Sequence, residues 1–384
     1  MRVALGTMYP YDEARVHGGV EAVAFNLAQA LAATGQVEVH VVSFTTCVRD
    51  PLVERRGPVS VHWLPVRRGL GTLKALTAHP RRVAAVYEAI RADVVHAQAF
   101  SAYAIGAPTS IPLVLTVHGL ERFSASMRAN RRYTGAAGAY RRVVEYVLVK
   151  RSLDRATAVV AVPGPFVPGV LGAKLDGKAY RGIPNPLVLD RWLTVAPTRD
   201  DAQKVLCVGA IMRSKNQLAL MRAFARARDD RIDSELVLLG ETVERDYLEE
   251  LTCEAKSLGL TERVRFLGHV NEDSLVAAYS DAAVVASASV VETAPMSVAE
   301  AMACARAVVA TRTGGIPWMV EDGVSGYVVD LTNVEAMADR LRALLLDPLL
   351  RRRLGDSARR RATAVFGAGV VASQTVALYR ELVG

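Results

Sequence analysis

Ala283-Val284-Val285-Ala286-Ser287-Ala288-Ser289-Val290-Val291-Glu292-Thr293-Ala294-Pro295-Met296-Ser297-Val298-Ala299-Glu300-Ala301-Met302 decides the reading of this chain. Ala283–Ala286 is apolar at every position, so both faces of that strand are expected to be covered, as in a parallel sheet layered by helices. Pro295 suits an early helix position because it has no N–H to leave unsatisfied. A helix is therefore expected from about Met296. Glu292 then lies in the loop before it, and Glu300 lies in its second turn. The N–H groups of Met296 and Ser297 would open that helix without intrahelical acceptors and suit a phosphate. A carboxylate one turn further in can accept two hydroxyls of a ribose. A surface helix with two ordinary glutamates is the plain alternative, but Ala301-Met302-Ala303 makes an odd setting for a merely solvated charge.

The same strand–helix alternation extends in both directions. Strands are expected at Arg2–Leu5, Val37–Ser43, Val59–Leu64, Asp93–His96, Leu113–Val117 and Ala158–Val162. A second series covers Lys204–Val208, Glu235–Leu239, Val264–Leu267, Ala283–Ala286, Ala307–Ala310 and Gly326–Val329. Helical patterns such as Val20–Ala33 and Leu218–Ala227 lie between them. Two successive series mean two doubly wound α/β domains, with ligands in a cleft at the carboxyl ends of the strands. The polar, proline-bearing stretch from Pro184 to Asp201 marks the boundary. The expected division is 1–190, 191–365 and a last helical stretch, 366–384.

The 384 residues are 51 % hydrophobic and 22 % charged, which excludes a disordered chain. No apolar run is long enough for a membrane span, and the N-terminal run is too short for a signal-peptide core. Cys47, Cys207, Cys253 and Cys304 lie far apart, which excludes a disulfide framework and fits a reducing cytoplasm. The formal net charge is +8. Residues 1–191 hold 24 Lys and Arg against 13 Asp and Glu, a balance of +11; residues 192–384 hold 23 against 26, a balance of −3. A basic first half invites an anionic partner, although composition alone also accounts for it.

Several motifs are weaker. Gly172 to Lys178 has P-loop spacing, but Ala179 follows where Ser or Thr belongs and Pro184 and Pro186 interrupt any helix. There is no G-x-S-x-G elbow, no H-E-x-x-H pair and no D-x-D metal grip. Gly18-Gly19 precedes a helix and suits either an anion or a tight turn. His118 follows a strand and His96 ends one after Asp93-Val94-Val95, positions from which catalytic side chains project, although packing histidines also occur there. Lys215, beside Arg213 and Asn216, stands at a helix start where the dipole disfavours a cation unless an anion is bound.

In this order the pieces resemble glycosyltransferase family 4, of GT-B fold, over nearly the whole chain. The matching segments are Gly18-Gly19-Val20-Glu21, Asp93-Val94-Val95-His96, Thr116-Val117-His118-Gly119, Val208-Gly209 through Lys215-Asn216, and Arg265 to Val270. They continue with the Glu292/Glu300 pair in Glu300-Ala301-Met302-Ala303, and with Gly314-Gly315-Ile316-Pro317 before Glu321-Asp322-Gly323. The resemblance implies a retaining, metal-independent enzyme that moves a sugar from a nucleotide-sugar to an acceptor. The nucleotide-sugar is a substrate and no cofactor is expected. His118, Lys215 and Glu292 are the implied catalytic residues. The implied donor-binding residues are Gly18, Gly19, Gly209, Arg213, Leu267, Gly268, His269, Thr293, Met296, Ser297 and Glu300, with Glu300 on the ribose. The last helix would cross back onto the first domain. Three positions depart from the family pattern: Ala210 where Arg is usual, Ala305-Arg306-Ala307 for G-x-P, and Trp318 where Glu follows G-G-x-P.

The acceptor is expected to be a small molecule, a glycan or a lipid-linked compound, bound by the first domain; nucleic acid is not expected. Arg128, Arg131 and Arg132 are the candidate acceptor residues, in a basic stretch that suits a phosphorylated acceptor, an anionic lipid surface or a solvated helix face. A cytoplasmic protein is expected, with peripheral contact at the inner membrane face as an extension of that reading. The competing reading is a non-catalytic relative that binds nucleotide-sugar, favoured by Ala210.

Overall fold

The structure is a computed structural model and describes residues 1–13, 18–66, 71–119, 135–229 and 233–384. The chain divides into two compact units. The first comprises Met1–Pro186 and Ala368–Gly384, and the second comprises Leu187–Gly367. The divisions fall at Pro186/Leu187 and Gly367/Ala368, a few residues from those read in the sequence. Leu187 explains the first shift: its N–H donates to the Phe366 carbonyl at 2.7 Å, and its side chain is in the core of the second unit.

In the first unit, the described strands are β1 (Arg2–Gly6), β2 (Glu38–Thr45), β3 (Leu52–Arg56), β4 (Val59–Pro65), β5 (Val94–Gln98), β6 (Leu113–Thr116), β7 (Ala158–Ala161) and β8 (Ala179–Gly182). They form one sheet in the order β3-β4-β2-β1-β5-β6-β7-β8, parallel except for β3. Val3 and Leu5 of β1 face one buried layer and Ala4 the other, which is why the strand shows no in-out alternation. The last helix, Ala368–Val383, packs into the layer beside Val3 and Leu27 through Val371, Val376 and Leu378. Each such side chain contributes ~1.5–3 kcal/mol when fully buried.

In the second unit, the strands are β9 (Lys204–Val208), β10 (Glu235–Leu239), β11 (Val264–Gly268), β12 (Ala282–Ser287), β13 (Ala307–Thr311) and β14 (Tyr327–Val329). Their order is β11-β10-β9-β12-β13-β14, parallel throughout. This is the doubly wound order of dinucleotide-binding sheets.

Every strand read from the sequence is present, with ends within two residues. The reading missed β3 and β8. β3 carries Glu54, Arg55 and Arg56 and has no apolar run. It forms because it pairs antiparallel with β4 around Gly57 (φ 57°), and Glu54 accepts from Trp63 Nε1 at 3.0 Å. β8 is a part-exposed edge strand next to β7. The P-loop-like stretch from Gly172 follows a helix, Phe166–Leu171, and leads into β8, so it has neither the strand before it nor the helix after it that a P-loop needs.

Candidate active site

The second sheet has its topological switch point between β9 and β12, and sheets of this order bind ligands there, outside the carboxyl ends of the strands. After β9, the chain makes a 3₁₀ turn, Arg213–Lys215. Asn216 (φ 52°) then starts the helix Gln217–Ala227. After β12, a loop leads to the helix Met296–Ala303, with Pro295 as its cap residue. The two loops are tied together. Val290 N–H donates to the Ser214 carbonyl at 2.8 Å, and Lys215 Nζ donates to Glu292 Oε1 at 2.5 Å. Ser289 Oγ donates to the same carboxylate oxygen at 2.9 Å. The Glu292 side chain is 10 % exposed and that of Lys215 25 %, so the pair is shielded while the lysine keeps an accessible face.

The segment after β13 holds this loop from behind. Thr311 Oγ1 donates to the Ser289 carbonyl at 2.7 Å, Thr313 Oγ1 to the Val290 carbonyl at 2.9 Å, and Gly315 N–H to the Thr293 carbonyl at 3.0 Å. Gly314 has φ 55°, and a Cβ there would lie 1.3 Å from the Glu292 carbonyl oxygen. Only glycine lets the two backbones approach this closely. Thr293 Oγ1 is buried without a hydrogen-bond partner among the described residues.

Glu300 projects from the helix Met296–Ala303, and Tyr279 OH donates to its Oε2 at 2.8 Å. The same hydroxyl lies 3.1 Å from the Ser297 carbonyl. Burial pushes the Glu300 carboxyl up to about 7, against the opposing effects of the Tyr279 hydrogen bond and the Arg191 charge. Arg191 is paired with Glu272. Tyr279 lies in no motif read from the sequence; its only signal is its place in the helix before β12. Leu267, Gly268 and His269 lie at the carboxyl end of β11, on the same edge of the sheet but two strands from β9. Gly209 opens the loop after β9, where its N–H donates to the Leu239 carbonyl at 2.8 Å.

In the first unit, the switch point lies between β1 and β5. Gly18 (φ 88°) and Gly19 are exposed at the start of the helix Gly19–Ala33. His118 follows β6, and its Nε2 meets Gln98 Oε1 at the end of β5. Arg128, Arg131 and Arg132 lie outside the described residues. Among the described residues, no group of three or more His, Cys, Asp or Glu is placed to hold a metal ion, and no helix is long and apolar enough to cross a membrane.

Residues 17–190 match the family model described as Glycosyltransferase Family 4, and residues 190–361 match that described as Glycosyl transferases group 1. The D-inositol 3-phosphate glycosyltransferase of Actinosynnema mirum is 31 % identical over 373 residues, which cover 89 % of this chain and 87 % of that protein. The chain belongs to glycosyltransferase family 4. Sucrose-phosphate synthase from Thermosynechococcus elongatus superposes with a TM-score of 0.79 at 24 % identity, over 99 % of this chain and 98 % of the other. HepE of Anabaena, solved in complex with UDP-glucose, gives 0.72 at 19 % identity over 100 % of both chains. At these identities the likeness is one of fold, and that fold is GT-B.

The departures from the family 4 pattern have local structural correlates. Ala210 leaves its loop one cation short. Arg213 beside it is turned to the helix Arg245–Ser257, where it pairs with Glu250 and, at 3.2 Å, with Asp246, and it lies 5.0 Å over the Tyr247 ring. Ala305 keeps the left-handed backbone (φ 55°) that glycine adopts freely. Buried Arg306 donates to the carbonyls of Tyr279 at 2.7 Å and Ala196 at 2.7 Å. Trp318 packs edge-on against Phe366, with the Arg361 guanidinium 5.7 Å over its ring. It therefore serves packing against the helix Pro348–Phe366.

Proposed function

We propose that this family 4 glycosyltransferase is retaining and metal-independent, that its second unit binds a nucleotide-sugar donor and that its first unit binds a phosphorylated acceptor. The observation that carries the donor reading is the Lys215–Glu292 pair at the switch point, with Glu292 in the loop that leads to the helix carrying Glu300. Lys215 and the opening N–H groups of Met296 and Ser297 meet the diphosphate. Orphaned Thr293 Oγ1 donates to it as well. Glu300 accepts from the ribose hydroxyls, and Glu292 contacts the transferred sugar. HepE, of the same fold, is solved with UDP-glucose, which supports a sugar attached to a nucleoside diphosphate.

In this mechanism, negative charge grows on the diphosphate as the glycosidic bond breaks. A preorganised cation and N–H groups stabilise it, and this does not require a metal. His118 receives a substrate hydroxyl in the first unit. The +11 balance of residues 1–191 and the relative named for D-inositol 3-phosphate support a phosphorylated acceptor. A panel of nucleotide-sugars in a thermal-shift assay identifies the donor, since ligand at about 100 times its Kd stabilises by ~2.7 kcal/mol. Turnover of that donor in excess EDTA, with the product's anomeric configuration read by NMR, tests the reaction. Tight donor binding with no turnover, even of slow hydrolysis, favours a non-catalytic relative. An inverted product or loss of activity in EDTA that magnesium restores contradicts the mechanism.

A further inference from the structure

A chain of hydrogen bonds runs through the first unit from His118 to the last helix. His118 Nε2 meets Gln98 Oε1. Gln98 Nε2 lies 3.2 Å from His96 Nε2, which also lies 2.6 Å from Thr116 Oγ1. On the other side of the ring, His96 Nδ1 lies 2.6 Å from Tyr379 OH. The Tyr379 ring stands edge-on to the imidazole, with centroids 5.7 Å apart. His96, Gln98, Thr116 and Tyr379 are all buried, and Tyr379 belongs to the helix Ala368–Val383.

The donors and acceptors in this chain can be assigned in sequence. An amide oxygen only accepts, so His118 Nε2 carries its proton. An amide nitrogen only donates, so His96 Nε2 is a bare acceptor and His96 carries its proton on Nδ1, which donates to Tyr379. Each neutral imidazole has a single N–H. Burial keeps both rings neutral by pushing His96 down to about 3 and His118 to about 4, with His96 further lowered by His118.

We propose that Gln98 and His96 are positioning residues that lock His118 in its Nε2–H tautomer, so that Nδ1 presents a lone pair to a substrate hydroxyl, and that Tyr379 anchors this chain from the last helix. The substrate half rests on the role proposed for His118 above; the tautomer half stands on these contacts alone. It also gives the C-terminal helix a part in the site beyond packing, since the inner end of the chain is one of its side chains.

The test is nitrogen NMR of the full chain labelled at its seven histidines. At neutral pH His118 should show a protonated Nε2 and a bare Nδ1. The opposite tautomer, which a flipped Gln98 amide would impose, overturns the proposal. Gln98→Met should mix the two tautomers and lower kcat by up to ~10-fold, the scale of one lost hydrogen bond, with little change in donor KM. An unchanged His118 tautomer in this variant overturns the lock. Gln98→Glu keeps an acceptor at the same place, so it should keep the tautomer and raise the titration midpoint of His118; an unmoved midpoint counts against the contact even if the Met variant does not fold. Tyr379→Phe should leave His96 in its Nδ1–H form, since Gln98 still donates to Nε2, but should shift the His96 Nδ1 resonance as that N–H loses its partner; an unaltered Nδ1 signal removes the anchor. Full turnover in His118→Ala, with the tautomer as expected in the parent, overturns the substrate half alone.

Discussion

Lys215 Nζ and Glu292 Oε1, 77 positions apart in the chain, lie 2.5 Å from each other across the loops that follow β9 and β12. The lysine assigned to the diphosphate is thus held by the carboxylate assigned to the sugar. A donor diphosphate reaching Lys215 would compete for that ammonium and leave Glu292 to the sugar hydroxyls.

Lys215→Ala should lower kcat by ~10²–10³, the usual effect of removing one preorganised partner of transition-state charge, and should change donor KM less. Arg213→Ala should be nearly neutral in turnover, because that guanidinium is engaged by Asp246 and Glu250. Steady-state kinetics of the two single variants and the double variant check this. Full turnover in all three would place the phosphate site elsewhere.

Nucleotide binding should depend on the protonation of Glu300. Burial pushes its carboxyl up to about 7, and ribose hydroxyls donate best to the carboxylate. Affinity for a nucleotide-sugar should therefore rise as pH rises through about 7, with release of a proton on binding near that pH. Below the midpoint, the loss approaches ~10-fold per pH unit if only the carboxylate binds. Calorimetry in buffers of different ionisation enthalpy measures both effects. Glu300→Ala should cost ~1.5–3 kcal/mol of binding and abolish the pH dependence. Unaltered affinity in a folded Glu300→Ala protein would remove Glu300 from the ribose site.

Mild acid should weaken the first unit. Desolvation holds His62 at about 4, His118 at about 4 and His96 at about 3 in the folded chain. Each pKa is depressed below its unfolded value of ~6.5. The unfolded state therefore binds more protons, and the stability is present above ~6.5 and lost as pH falls toward 4. The slope is at most ~1.4 kcal/mol per pH unit for each ring. Glu300 in the second unit has the opposite sign. Its raised pKa costs stability as pH rises from 4.5 to about 7. Hydrogen exchange compared between pH 7 and 5 should show protection falling mainly in residues 1–186. Equal losses in both units would contradict the assignment.

Ala305→Gly should stabilise the second unit. A non-glycine residue in the left-handed region costs ~1–2 kcal/mol, partly offset by the ~0.5–1 kcal/mol entropic cost of glycine. A small rise in Tm is expected, and a fall would mean that the Ala305 methyl group packs better than its backbone is strained. Gly314→Ala should do the reverse and also reduce activity, because a Cβ there collides with the Glu292 carbonyl.

Salt should separate the two substrates. If the acceptor is anionic and bound by exposed cations of the first unit, raising ionic strength should weaken acceptor binding far more than donor binding, since exposed charges are screened over ~8 Å at physiological salt. Binding assays for each substrate across a salt series test this. Equal insensitivity would return the +11 balance to composition.

The strands, the order of the site loops and the Glu292/Glu300 spacing were legible in the sequence because each depends on neighbours in the chain. Ala283–Ala286 is apolar at every position whatever surrounds it, and Pro295 suits a helix start by its own chemistry. The same locality explains what the sequence does not show. β3 has no apolar run and exists through its pairing with β4. Arg213 is a donor-binding residue by resemblance, and its contacts with Glu250 and Asp246, on a helix more than thirty positions away, have no local signal in the sequence.

The sequence by itself determined two doubly wound units, a family and the residue types at the candidate site, because apolar periodicity, glycine and proline act on the backbone locally. Only the tertiary structure decided which side chains meet. Tyr279 was brought to Glu300, Lys215 to Glu292, and Tyr379 of the last helix to His96, 283 positions away. Directed contacts of this kind depend on how separate strands and helices register against one another. That register is set by burial summed over whole layers, so no short stretch of sequence contains it.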